Sequence, residues 1–140
     1  MIRAVIDTNV LVSAILNPMG TPAQVINALY AGAFVPVVSE DILREYERVL
    51  TCKDLLLEKE TVHIMLHYFR QYCLPLPPMP VQYSSPDPDD IKFVAAALSG
   101  NAAYVITCNK RHFPTRIQKL SLVSPREFME HIRQNPDISG

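Results

Sequence analysis

Short apolar runs rich in β-branched residues alternate along this chain with helix-patterned segments, and that alternation leaves few folds open. Ile2–Asp7 (IRAVID) reads as a buried strand and Asn9–Leu16 as the helix after it. Thr21, Pro22 and Gln24 read as the cap, first position and third position of a second helix that ends near Gly32. Phe34–Val38 is a second strand, and Ser39 caps a helix running to about Leu50. A break at Thr51–Asp54 separates it from a helix over Glu58–Tyr72. Asp87-Pro88-Asp89-Asp90 opens a helix through Leu98 that closes at Ser99-Gly100. Ala103–Thr107 and Leu120–Val123 are the remaining strands, and Ser124-Pro125-Arg126-Glu127 is a capping box for the last helix. Strands separated by helices imply right-handed crossovers. The expected fold class is therefore α/β, a three-layer α/β/α sandwich with a central parallel sheet. Its ligand crevice should lie at the C-terminal ends of the strands.

The chain's 140 residues, 49% of them hydrophobic and 19% charged, suit one core and exclude a disordered chain. Six of the 12 prolines fall between Pro75 and Pro88, a stretch that cannot be helix and reads as a surface connection. A single domain over 1–134 is expected, with 135–140 as a flexible tail. No apolar run approaches the roughly 20 residues of a spanning helix. Asp7 interrupts the N-terminal apolar stretch, which argues against a signal peptide. Three cysteines without CxxC spacing disfavour a disulfide scaffold or a zinc ribbon, and a reducing cytoplasm is the expected compartment. Net charge is −1, but it is unevenly spread. Residues 1–90 hold six Lys/Arg against eleven Asp/Glu, and residues 91–140 hold seven against three. The basic segment suits either a polyanion or an ordinary solvated surface.

The acids carry the functional signal. Asp7 ends an apolar strand, where it either caps the following helix or points into the crevice. Glu45 lies past the first turn of its helix, beside the face made by Ile42 and Val49, while Glu40 and Asp41 are explained by the helix dipole. Asp87, Asp89 and Asp90 crowd three negative charges into four residues, more than a cap requires. Asp90 falls at the edge of the buried face and Asp89 looks outward. Carboxylates at three separated points suit a hard cation such as Mg²⁺ or Mn²⁺, which takes oxygen ligands and can activate water beside a phosphodiester.

Other constellations are weaker. His63 and His67 stand at i, i+4 without a third ligand in view and read as a surface or interface pair. Cys108 reads as a buried structural cysteine. With four glycines in the chain, no Gly-rich phosphate loop can be written. Lys110 and Arg111 follow the third strand and should overhang the crevice, either to hold phosphates or as a plain basic loop. Tyr30, Tyr46, Tyr68 and Tyr72 suit core or dimer packing.

Three segments in register resemble the PIN domain family: IRAVIDTNVLVSA at the N-terminus, SEDILREYERVL from Ser39, and DPDDIKFVAAALSGNAA from Asp87 followed by YVIT. The likeness covers nearly the whole chain and is nearest to the branch that holds toxins of toxin–antitoxin systems. It implies a metal-dependent endoribonuclease with Mg²⁺ or Mn²⁺ at Asp7, Glu45 and Asp90, and with Asp87 as a supplementary acid. Asn9 would support Asp7, and Ser39 or Thr107 would hold a water or a neighbouring carboxylate. Lys110, Arg111 and Arg116 would contact RNA. A homodimer and a small antitoxin partner are implied, and no membrane. One departure stands out: Asn109 occupies the place where the family commonly has an Asp, so a second metal is disfavoured. Two other enzyme readings fit less well. A haloacid-dehalogenase-like phosphatase needs a second Asp where this chain has Asn9, and a phosphoacceptor receiver needs an acidic pair after strand one. A PIN-like module that binds RNA or protein without cleaving it is the non-enzymatic alternative, and Asn109 is its best support.

Overall fold

The computed structural model describes residues 1–75, 91–109, 116–117 and 119–134. The elements in chain order are β1 (Arg3–Ile6), α1 (Thr8–Leu16), α2 (Thr21–Tyr30), β2 (Val35–Pro36), α3 (Glu40–Leu50), a short 3-10 helix (Lys53–Leu55), α4 (Lys59–Arg70), α5 (Ile91–Ser99), β3 (Tyr104–Ile106), β4 (Arg116–Ile117), β5 (Leu120–Val123) and α6 (Pro125–Gln134).

The strands form one sheet in the order β2-β1-β3-β5-β4. β1 pairs in parallel with β2 and β3, and β3 in parallel with β5. Ala4, Val5 and Ile6 are all buried, as are Val105 and Ile106, so the central strands are covered on both faces. The crossovers from β1 to β2 and from β2 to β3 run in opposite directions. Right-handed connections therefore put α1 and α2 on one face and α3 to α5 on the other. Helix α6 packs against α2 and joins the first layer. There the ring of Phe128 meets Phe34 edge-on at 4.8 Å and Tyr104 at 5.5 Å. In the opposite layer Tyr46 of α3 meets Phe69 of α4 at 4.9 Å.

Four details differ from the sequence expectations. The sheet gains a fifth strand: β4 runs antiparallel to β5 at the edge, two residues long and too short for any periodicity to reveal. The second strand is only Val35–Pro36, at the edge of the sheet; the N–H groups of Val35 and Val37 bond to the Ile2 and Ala4 carbonyls of the β1 side, so the missing N–H of Pro36 faces away from β1 and costs no ladder bond. Gly20 rather than Thr21 is the N-cap of α2, and Pro22 falls in its first turn. Helix α5 closes on Asn101, whose φ is 54°, rather than on Gly100. The opening of α5 and the tail expected at 135–140 lie outside the described residues.

Candidate active site

Asp7 follows the last register pair of β1 with β3, Ile6↔Ile106, and its N–H extends the ladder to the Ile106 carbonyl at 2.9 Å. Its backbone is the N-cap of α1, yet its carboxylate makes no capping hydrogen bond, so the helix-cap explanation for this acid fails. Instead, Oδ2 accepts from the Thr107 hydroxyl at 2.7 Å and from the Asn9 amide at 3.2 Å. Thr107 is the residue after β3, so parallel register alone puts it beside Asp7. Two backbone donors of the following loop complete the arrangement. The N–H of Cys108 donates to Asn9 Oδ1 at 3.2 Å, and the N–H of Asn109 donates to Thr107 Oγ1 at 3.0 Å.

Glu45 arrives from the other layer. Ser39 starts α3 by accepting from the Ile42 N–H at 3.3 Å, and Ile42, Tyr46 and Leu50 bury one stripe of the helix. Glu45 borders that stripe and is itself 9% exposed. Its Oε2 accepts from the Thr8 hydroxyl, and its Oε1 accepts from the Lys92 ammonium at 2.8 Å. The next residue, Tyr46, is fully buried and donates its hydroxyl to the Ile6 carbonyl. Two consecutive residues of α3 thus grip Ile6 and Thr8, on either side of Asp7. The Tyr46 phenol is held well above its ordinary pKa, first by burial and then by the negative charges of Asp7 and Glu45.

The structure brings Asp7, Asn9, Glu45 and Thr107 to one end of the sheet, with Asn109 joining through its backbone N–H. Ser39 is occupied in capping α3. Asp87, Asp90, Lys110 and Arg111 lie outside the described residues, and Arg116 falls on β4. Three residues of the site were not foreseen: Thr8, Tyr46 and Lys92. Thr8 is adjacent to Asp7 and Tyr46 to Glu45, but nothing local marks an adjacent residue as a cross-link. Cys108 is exposed, not buried as expected, because it sits in the loop beyond β3. Partial burial and the charge of Asp7 raise its thiol, against a lowering hydrogen bond with Ser13. The three cysteines are free thiols. Away from the site, His67 Nε2 lies 3.3 Å from the Gln71 amide nitrogen.

Among the described residues, no group of three or more His, Cys, Asp or Glu stands together. What the site offers is two buried carboxylates, held by two threonine hydroxyls, an asparagine amide and the Lys92 ammonium. Buried carboxylates are costly unless compensated. The carboxylate oxygens of Asp7 and Glu45 are ligands of the kind a hard divalent cation takes and a soft one does not.

The comparisons with known proteins bear on the family and the fold. A family model described as a PIN domain matches residues 3–111. An uncharacterized protein of Methanocaldococcus jannaschii is 28% identical over 95% of this chain and 93% of its own length. Among solved structures, one chain of VapBC2 from Rickettsia felis, crystallised bound to a DNA fragment from their promoter, superposes with a TM-score of 0.58. It shares 17% identity over 88% of this chain and 98% of that chain, so the likeness is one of fold.

Proposed function

This chain belongs to the PIN domain family, and from that premise we propose that it is a divalent-metal-dependent endoribonuclease, the toxin of a toxin–antitoxin pair. The observation that carries the reading is the pair of buried acids, Asp7 and Glu45, tied from two layers to one end of the sheet. In this reading Asp7, Glu45 and Asp90 hold Mg²⁺ or Mn²⁺, with Asp87 as a supplementary acid. Such a cation would neutralise phosphate charge and activate a water for in-line attack. The protein's own contribution is positional. Thr107 and Asn9 fix the plane of the Asp7 carboxylate and stabilise its negative charge. Thr8 and Tyr46 lock Glu45 to the strand end. Lys110, Arg111 and Arg116 follow β3 in sequence and would meet the substrate's phosphates. Asn109 supplies an amide where an acid would add charge, which favours one cation over two.

The partners belong to the same reading. The structural neighbour is a complex of two components, and this chain has an apolar surface for a partner to cover. Tyr30, Leu56 and Ile64 are exposed along a hollow of about 630 Å³ between α2 and α4. A small antitoxin and a second copy of the chain are the proposed occupants of such apolar surface. No helix among the described residues is long and apolar enough to cross a membrane.

The test is cleavage of a structured and an unstructured RNA by the purified chain with Mg²⁺, Mn²⁺ or EDTA, beside Asp7→Asn. Cleavage that requires metal and falls about a hundredfold or more in the variant is expected. No cleavage under any metal, from folded and antitoxin-free protein, would leave the non-catalytic binding module.

A further inference from the structure

We propose that Lys92 is a built-in counter-ion of the acidic centre, a placeholder that a divalent cation must displace from Glu45. The proposal rests on the reading above that Glu45 is a ligand. Both oxygens of Glu45 are engaged, Oε2 by Thr8 and Oε1 by the Lys92 ammonium at 2.8 Å. The two partners differ in kind. Thr8 is neutral, buried and β-branched, so it orients the carboxylate without contesting its charge. Lys92 is a cation at the end of a flexible four-carbon stem, on the second residue of α5, and its side chain is 22% exposed. Arg48 reaches the same oxygen only at 3.8 Å, from a side chain 69% exposed, and solvent screens it. Lys92 is thus the close compensating charge for a carboxylate that is only 10% exposed.

A divalent cation and this ammonium are alternative partners. A cation coordinated by Oε1 would stand within about 5 Å of Nζ, where like charges repel strongly in a partly buried site. The ammonium has a place to go. Together with Asp41, Arg44, Glu45 and Arg48, Lys92 lines an open hollow of about 380 Å³. Moved into it, Lys92 stands beside Arg44 and Arg48 as a third cation at the edge of the site. There it can meet a phosphate of the substrate instead of Glu45.

The experiment is Mn²⁺ binding to the full chain, followed by electron paramagnetic resonance, for the native protein, Lys92→Met, Lys92→Arg and Asp7→Asn. Lys92→Met keeps the stem and removes the charge, so it should bind Mn²⁺ about tenfold tighter or more. Lys92→Arg should stay close to native. Unchanged or weaker binding by Lys92→Met, with native binding that depends on Asp7, overturns the proposal and leaves the metal reading intact. Absence of Asp7-dependent Mn²⁺ binding in every chain overturns both. Should Lys92→Met fail to fold, the native protein decides. Its Lys92 ammonium protons, seen by NMR, should pass from slow to fast exchange with water as Mg²⁺ saturates the site. Exchange that stays slow at saturation overturns the proposal.

Discussion

One oxygen of Thr107 serves two partners, donating to Asp7 and accepting from the N–H of Asn109. Thr107→Val keeps the shape but, at a fully buried position, takes one hydrogen bond from the buried Asp7 carboxylate and one from the N–H of the exposed Asn109. The expected loss is about 1–3 kcal/mol in urea unfolding, with weaker metal binding alongside it. Tyr46 gives a pH-dependent case. Its native pKa is raised, so the folded state holds the phenolic proton more tightly than the unfolded chain does. The stability this confers is complete below about pH 10 and is lost as pH rises through the raised native value. Tyr46→Phe should be less stable by about 1 kcal/mol at neutral pH and should decline less steeply above about pH 10 in thermal melts. Tyr30 and Tyr68, the latter pushed up to about 12, are shifted the same way. The variant's decline should therefore flatten without vanishing. An unchanged alkaline slope would show that Tyr46 does not govern it.

At the scale of elements, ends matter more than middles. Helix α2 finishes with Gly32 at φ 81°, the Gly32 N–H on the Leu29 carbonyl and the Ala33 N–H on the Ala28 carbonyl, which is a Schellman stop. Nothing stands within 4 Å of the place a Cβ would occupy there, so Gly32→Ala isolates the backbone cost. It should lower stability by about 1 kcal/mol in denaturant titration. Elements with chemical end signals were legible in the sequence. Ser39 bounds α3 as read, and the Ser124–Glu127 box forms reciprocally at 3.0 and 3.1 Å. The illegible ones lack such a signal. Asn101 repeats the stop of Gly32 at the end of α5, but with a residue that adopts the left-handed region less readily. Strand β4 is defined only by its partner β5.

At the scale of the molecule, the acids Asp7 and Glu45 could be picked out in sequence because a carboxylate beside an apolar pattern is conspicuous. Their partners could not. Thr8 reaches Glu45 across 37 positions, Lys92 across 47, and Thr107 reaches Asp7 across 100, so only the sheet order and the crossovers identify them. A ligand that bridges these distant parts should stabilise the whole fold. Mg²⁺ at about a hundred times its dissociation constant should add about 2.7 kcal/mol, read as a rise in Tm that Asp7→Asn abolishes. The same separation has a consequence in time. Strand β3, late in the chain, is the central strand between β1 and β5. A ribosome that has released only the first hundred residues has made both Asp7 and Glu45, but not the strand that completes their surroundings. The cell that makes this protein meets these surroundings complete only after Thr107, a hundred positions past Asp7, has been made.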